Sequence, residues 1–177
     1  MPIVPDYLQP VQGEYPAYYD GYFARLPDDN IFDLLGRQSA VLTDLLRHLT
    51  VEEQLYRYDV GKWSVKEVVG HLIDTERIFS YRGMRILRGD TTPLPGYVQD
   101  AFVDNGDFGN RSIESLRSEF GSLSSSNILL FSDHPPEVYE REGVASGHRI
   151  SLRAIIAVMA AHVEHHLWVV KARYLDG

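Results

Sequence analysis

The sequence has 177 residues, a formal net charge of −8 and no cysteine. Phosphate groups are bound largely by Lys and Arg, so an acidic chain without a basic run argues against nucleic acid as the main partner. The absence of cysteine excludes a protein thiol as nucleophile or metal ligand. No apolar run reaches membrane-spanning length, and the N-terminus lacks the basic and apolar regions of a signal peptide. We therefore expect a cytoplasmic protein that does not bind membranes.

The length suits one compact domain with an N-terminal arm. Residues 1–27 contain five prolines, which block a long helix, and tyrosines at positions 7, 15, 18, 19 and 22. We expect an extended arm over residues 1–27 that lies on the domain or on a partner subunit. Its aromatic side chains are expected either to pack against the core or to form a rim around an active site. The domain itself is expected to span residues 28–177.

The first predicted helix follows a run of capping residues. Asp28 or Asp29 is the candidate N-cap, and apolar residues recur at helical spacing from Ile31 to Leu49. Thr50 and Glu53 then form a capping-box pattern, which predicts a short helical segment before the next long helix.

The second predicted helix carries a histidine and an acid on one face. Ser64 and Glu67 form a capping-box pattern, so this helix is predicted to begin there and to continue to about Arg88. His71 lies beside its apolar stripe, and Asp74 follows three residues later on the same face. Three further charged residues of this helix are interpreted as solvated or ion-paired: Glu76, Arg82 and Arg85.

Three roles for Asp74 are open. A carboxylate often accepts the second N–H of a metal-bound imidazole, and Asp74 is spaced to do this for His71. Facing an open metal position, it would instead serve as a general base. The third alternative is an ordinary ion pair with Arg77. We name Asp74 as the candidate catalytic residue.

Two irregular connections flank the third predicted helix. Residues 89–110 are rich in Gly, Pro, Asp and Asn, and a connection of this length is often functional. A weakly amphipathic helix is predicted over about Ser112 to Phe131. Residues 133–149 form the second connection, where His134 and His148 are interpreted as surface residues.

The fourth predicted helix, Ser151 to Lys171, contains three histidines. At about 100° per residue, three charged residues lie within roughly 20° of one another and predict a solvated seam: Arg153, Glu164 and Lys171. His162 and His166 fall one turn apart in the opposite, apolar sector. His165 lies nearer the flank.

Two inward-facing histidines need polar partners, because an unpaired ring nitrogen in an apolar core costs about 1–3 kcal/mol. The i, i+4 spacing lets His162 and His166 reach one metal ion. The alternative is that each bonds to a nearby Tyr, Asp or carbonyl in the core, which is commoner for an isolated HxxxH. A third histidine, His71, favours the metal site over hydrogen bonds within the core. Three neutral imidazole ligands that leave further coordination positions open are typical of catalytic zinc.

Other metal and cofactor motifs are missing from the sequence. HVEHH at 162–166 is neither HExxH nor HxxEH. A ferritin-like di-iron centre lacks its Glu-x-x-His pairs, and no GxGxxG or P-loop supports a nucleotide cofactor. DNGDFGNRSIES lacks the twelfth-position glutamate of an EF-hand. A mononuclear three-histidine site remains.

Three segments resemble the DinB/YfiT-like superfamily of metal-dependent enzymes, over about Ile31 to Leu175. They are WS-x-KE-x-x-x-HL-x-D from Trp63 to Asp74, LPGYVQDAFV from Leu94 to Val103, and SLR followed by H-x-x-HH-L between Ser151 and Leu167. The resemblance implies an all-α fold, a four-helix bundle with an up-down-down-up course. It also implies a divalent metal held by three residues: His71, His162 and His166.

That course has a consequence for the first long connection. Because the second and third bundle helices would run in the same direction, residues 89–110 must travel the length of the bundle. Three of their side chains are therefore candidates for the mouth of a pocket: Tyr97, Asp100 and Phe102.

The resemblance also implies an enzyme that acts on a small-molecule substrate. Zinc or nickel is expected as the metal, because imidazole suits both. We predict a thiol S-transferase that uses a low-molecular-weight thiol, with a hydrolase using metal-activated water as the alternative. A third interpretation is a non-catalytic metal-binding or dimeric stress-response module. A homodimer is expected.

Overall fold

The computed structural model describes residues 6–175 and shows a mostly helical chain. The first five residues of the predicted arm and the last two of the predicted domain lie outside this range. The described chain contains seven α-helices and a two-stranded antiparallel sheet: α1 (Asp20–Phe23), α2 (Ile31–Arg47), α3 (Val51–Leu55), α4 (Val65–Leu87), α5 (Gln99–Asn105), α6 (Ile113–Phe131), β1 (Glu142–Ala145), β2 (His148–Ser151) and α7 (Leu152–Val169). A π-helical turn, Val170–Leu175, extends α7. None of the described helices is long and apolar enough to cross a membrane.

Four long helices, α2, α4, α6 and α7, form a bundle. Both α2 and α4 pack against α6 and against α7. The ends of α4 and α6 meet where Gly83 approaches Phe131, so these two helices run in the same direction. In contrast, Tyr174 after α7 donates to the backbone carbonyl of Trp63 before α4, so α7 runs antiparallel to α4. This up-down-down-up bundle confirms the predicted fold class.

Side-chain caps set where the helices begin. Both predicted capping boxes are present, at Thr50 and at Ser64. The predicted cap at Asp28 or Asp29 is wrong, because α2 begins after Asn30, whose side-chain oxygen accepts two backbone N–H groups of the first turn. Three consecutive residues here have capping side chains, and only Asn30 directly precedes the helix.

The arm lies across the bundle and changes the environment of α7. Glu14 accepts a hydrogen bond from Arg153 Nε at 2.7 Å, and four arm aromatics pack on the core: Tyr7, Tyr15, Tyr19 and Phe23. Arg153 is consequently only 9% exposed. The predicted solvated seam on α7 is therefore wrong at Arg153, because the arm covers a face that the bundle helices leave open. Glu164 is half-buried and accepts from Gln38, while Lys171 is exposed.

The second connection contains a β-hairpin that the prediction of an irregular segment missed. β1 and β2 pair antiparallel, with Ala145 opposite His148. Ser146 and Gly147 form the two-residue turn, with φ angles of 53° and 81°. Such a turn needs positive φ at both positions, and a Ser-Gly pair between short strands was the available signal.

Candidate metal centre

The antiparallel packing of α4 and α7 brings three histidines together. His71 lies in the second turn of α4, while His162 and His166 occupy successive turns of α7. Nε2 of His162 is 3.0 Å from Nε2 of His71 and 3.2 Å from Nε2 of His166. One ring nitrogen from each residue lies within 4.8 Å of the other two. The three side chains therefore converge on a single point between two helices.

This donor set fits a divalent cation better than a hydrogen-bonded network. A neutral imidazole has one donor and one acceptor nitrogen, so three Nε2 atoms that face one another cannot satisfy each other fully. Nitrogens bound at ~2.1 Å to one tetrahedral zinc ion lie about 3.4 Å apart, close to the observed separations. His166 Nδ1 is enclosed without a hydrogen-bond partner among the described residues, so no hydrogen bond at that nitrogen orients the ring.

Burial keeps the three imidazoles neutral. It lowers the pKa of His71 to about 4, although the nearby Asp100 carboxylate acts in the opposite direction. Burial also lowers the pKa of His162 and of His166 well below the ordinary value, with a further contribution from the neighbouring imidazoles. Metal binding requires unprotonated imidazole, and at neutral pH this cluster presents it without a proton to displace.

The remaining histidine of this region, His165, belongs to a different environment. Its Nδ1 is 3.3 Å from Nη1 of Arg25, and its ring lies 5.1 Å from that of Tyr22. A rotation of about 100° around α7 separates it from His166. His165 thus contacts the arm, and although its ring also lies 5.1 Å from that of His166, it is not one of the three converging donors.

A cavity of about 210 Å³ opens beside His71 and His162. Its aromatic walls come from the arm and α4: Tyr18, Tyr19, Tyr22 and Phe79. Its other polar lining groups come from α4, the first connection and the hairpin turn: Thr75, Arg82, Tyr97, Gln99 and Ser146. The arm tyrosines therefore serve both alternatives, core packing and an aromatic rim.

Comparison with known proteins places this chain in a family. The sequence model of the DinB superfamily matches residues 34–170. The chain belongs to the DinB superfamily. Its fold is similar to that of YfiT from Bacillus subtilis, with a TM-score of 0.73 and 17% sequence identity over 93% of this chain and 92% of that one. YfiT is described as a probable metal-dependent hydrolase with an unusual four-helix bundle topology. The comparison with curated proteins finds no match.

The first connection of this DinB chain approaches the cavity as its predicted course requires. Tyr97 lines the cavity, and its hydroxyl lies 3.0 Å from Thr75 Oγ1. Phe102 packs edge-on against Tyr97, with ring centroids 5.1 Å apart. Asp100 is exposed, but its charge acts on His71. All three candidates therefore lie near the cavity, with Tyr97 in its wall.

Two charged residues of α4 were predicted incorrectly. Glu76 is 4% exposed and accepts a hydrogen bond from Asn127, so it is neither solvated nor ion-paired. Arg82 is 5% exposed, lines the cavity and forms no ion pair with a described carboxylate. The sequence did contain a signal for its position on the cavity side. Arg82 follows His71 by 11 residues, which is a net rotation of about 20° around the helix, so both residues lie on one face. The prediction for Arg85 is confirmed by its ion pair with Asp90.

Asp74 does not make the contacts that two of its three alternatives require. No hydrogen bond joins it to His71 or to Arg77 among the described side chains, and Thr75 rather than Asp74 lines the cavity. Burial raises its pKa, and the charges that act on it include Glu119 of α6. Its catalytic role remains a prediction. Asp74→Asn tests it, because loss of a general base lowers turnover while leaving the bound metal in place.

Proposed function

We propose that this DinB chain is a metal-dependent enzyme that acts on a small molecule. His71, His162 and His166 would hold one divalent ion, with zinc or nickel favoured by three imidazole donors. The observation that carries the proposal is the convergence of three Nε2 atoms at the wall of a cavity. Three protein ligands leave positions for an exogenous group, as catalytic zinc sites do. The adjoining cavity supports an enzyme over a metal-binding or dimeric stress-response module.

Bound there, such an ion would supply Lewis acidity and ionise a coordinated thiol or water near neutral pH. The chain's own residues bind and orient the substrate. The paired hydroxyls of Thr75 and Tyr97 offer hydrogen bonds along the cavity, about one helical turn from His71. Phe79, Val158 and the arm tyrosines exclude water from the remaining walls.

Thiol S-transfer is the reaction that we favour. The described residues that line the cavity include no Asp or Glu, so the chain offers no carboxylate there to deprotonate water. A thiol needs less assistance, because its ordinary pKa of about 8.5 is already far below that of water. The nucleophile would be a low-molecular-weight thiol, and the acceptor a small electrophile.

Hydrolysis is the second candidate. It is supported by the fold shared with YfiT and by the description of that protein as a probable metal-dependent hydrolase. The same three histidines and the same cavity would serve it, with water in place of the thiol.

Elemental analysis of the tag-free protein is the first experiment. We expect about one zinc or nickel ion per chain, and none in a His71→Ala, His162→Ala double variant. The metal-loaded protein is then assayed with 1-chloro-2,4-dinitrobenzene and a panel of small thiols, and separately with aryl esters. Thioether formation that disappears in the double variant supports the transferase, whereas ester cleavage with no thiol dependence supports the hydrolase. Wild-type protein that stays metal-free after incubation with zinc and nickel salts overturns the proposal.

A further inference from the structure

Arg82 is a buried cation without a carboxylate partner among the residues that the structure describes. Its guanidinium is enclosed between α4, the first connection and the hairpin turn, and the residue is 5% exposed. Nη2 donates to the carbonyl oxygen of Pro95 at 2.8 Å and to Ser146 Oγ at 2.9 Å. Both acceptors are neutral. A buried charge without an opposite charge is costly, so its retention calls for an explanation.

Two arginines of the described chain, the buried Arg153 and the partly exposed Arg85, have carboxylate partners. Arg153 pairs with Glu14, and Arg85, three residues beyond Arg82 on the same helix, pairs with Asp90. Burial lowers the pKa of the Arg82 guanidinium, and the titratable groups that oppose this change are the phenols of Tyr19 and Tyr97 rather than a carboxylate. The helix therefore carries two arginines about one turn apart. Arg85 has a carboxylate partner, and Arg82 has none among the described residues.

Arg82 keeps donors without a described partner at the border of the cavity. A guanidinium has five N–H groups, and the two hydrogen bonds found both come from Nη2. Among the described side chains, the buried polar atoms that lack a hydrogen-bond partner are Gln38 Oε1 and His166 Nδ1. Nη1 and Nε of Arg82 are not among them. These donors are therefore accessible, and Arg82 lines the cavity beside His71 as well as two neighbouring pockets.

The cavity has two chemically distinct ends. His71 and Arg82 lie about three helical turns apart on one face of α4, and long helical side chains lean towards the N-terminus, so the guanidinium lies nearer to the histidines than its Cα does. Thr75 and Phe79 occupy the same face between them. A ligand that spans the cavity meets a metal-ligating group at one end and a fixed cation at the other.

We propose that Arg82 binds the carboxylate of a small organic acid, and that the substrate of this site carries such a group away from its reacting atom. A monoanion matches the single cation at this end of the cavity, because the groups that Arg82 contacts there, the carbonyl of Pro95 and the hydroxyl of Ser146, are neutral. Tyr19 and Ser146 border the same space and add hydroxyl groups for the second carboxylate oxygen. The identity of the substrate site rests on the proposed function, but the binding of the carboxylate by Arg82 does not.

Calorimetric titration with benzoate and its neutral isostere benzamide tests the proposal. We expect wild-type protein to bind benzoate at least tenfold more tightly than benzamide, and Arg82→Met to lose that preference. Arg85→Met is the matched control, because it also removes a guanidinium from α4, but Arg85 already has a carboxylate partner in Asp90. This variant should retain the preference for benzoate over benzamide. Elemental analysis of each variant shows whether the metal content is unchanged.

The outcomes separate this inference from the proposed function. Equal benzoate affinity in wild type and Arg82→Met overturns the inference, and loss of binding in His162→Ala alone would place the carboxylate on the metal instead. Arg82-dependent benzoate binding by a protein that takes up no metal supports the inference while overturning the proposed function. If Arg82→Met does not fold, a crystal structure of wild-type protein with benzoate decides, because the carboxylate must lie against the Arg82 guanidinium.

Discussion

His165 and His166 are neighbours in the chain but belong to separate environments. His166 faces α4 and the other two imidazoles, while His165 faces Arg25 of the arm. The direction of each Cβ around α7 decides this difference, and burial then decides the protonation state. Direction and burial together define the candidate ligands.

We expect His162→Ala and His166→Ala each to abolish stoichiometric metal binding, while His165→Ala retains most of it. Each of the first two removes one of three converging nitrogens, whereas His165 lies outside the cluster. Metal content by elemental analysis measures the effect, and circular dichroism verifies that the variants are folded. Loss of metal only in His165→Ala would contradict the ligand assignment.

Glu76 is an enclosed acid whose proton affinity depends on folding. Burial raises its pKa from 4.5 to about 7, against the opposing hydrogen bond from Asn127. The pKa of Glu76 is higher in the folded state than in the unfolded state. The stability that protonation of Glu76 contributes is therefore fully present below about pH 4.5, and it is lost as the pH rises through about 7.

Glu76→Gln should therefore stabilise the protein at pH 8 by ~2 kcal/mol and have little effect at pH 4. The glutamine oxygen still accepts from Asn127, and no charge needs to be buried. Urea denaturation at both pH values measures the free energy of unfolding. Glu137→Gln, at an exposed position, is the control and should show no such pH dependence. An equal effect of Glu76→Gln at both pH values would contradict the raised pKa.

The close approach of α4 to its neighbours depends on two glycines. A Cβ at Gly70 would lie 2.2 Å from the Phe108 ring, and one at Gly83 would lie 2.6 Å from Phe131 Cζ. Both aromatic rings are buried, so neither can move aside freely. These contacts hold α4 at the depth where His71 reaches α7.

Gly83→Ala should destabilise the bundle by about 1–3 kcal/mol through overpacking. Gly36→Ala on α2 is the matched substitution, since its Cβ would meet only Ile128 Cδ1 at 3.9 Å. There the gain in helix propensity should raise stability by ~0.5–1 kcal/mol. Thermal and urea unfolding of the two variants measure the decrease in stability expected for Gly83→Ala and the increase expected for Gly36→Ala. A stabilised Gly83→Ala would show that the helices separate easily.

The arm and the bundle behave as one unit in this fold. Glu14 accepts from Arg153 and from Ser151 Oγ, which caps α7, so a single carboxylate joins the arm to the start of that helix. The hydrogen bond from Arg153 lowers the pKa of Glu14, although burial opposes this change. Its contribution to stability is therefore present above about pH 4.5 and lost as the pH falls through the lowered pKa.

We expect Glu14→Gln to destabilise the protein by about 1–3 kcal/mol at pH 7, because Arg153 would lose a charged acceptor in an enclosed site. Glu142→Gln breaks the exposed pair with Arg149 and should cost less than about 0.5 kcal/mol. Urea denaturation compares the two variants. Equal effects would show that the arm is not anchored by Glu14.

The boundary at residue 28 and the homodimer remain predictions. The arm tyrosines pack mainly on their own bundle, although Tyr18 is 71% exposed. Sedimentation velocity of wild type and of Tyr18→Ala measures the assembly state. A dimer that dissociates in the variant would place the arm at the interface.

Local patterns predicted the four long bundle helices but not the short α1 and α5, because capping boxes and apolar spacing act within a few residues and need several turns to show. Ser64 and Thr50 predicted their helix starts correctly, and the angular position of His162 and His166 predicted their inward direction. The family motifs added His71 to that pair before any distance was known. What these signals share is that their physical cause lies within one helix.

Two errors were local, the N-cap of α2 and the missed hairpin, whereas the errors in side-chain burial concern residues whose environment comes from distant parts of the chain. Arg153 is buried by an arm more than a hundred residues away, Arg82 by the connection and the hairpin turn, and Glu76 by Asn127 of α6. Helical spacing reports the direction of a side chain but not what covers that direction. Helical spacing already places Arg82 on the same face of α4 as His71, but only the packing of the connection and the hairpin turn buries it without a described carboxylate partner, because burial and charge pairing are properties of the assembled fold.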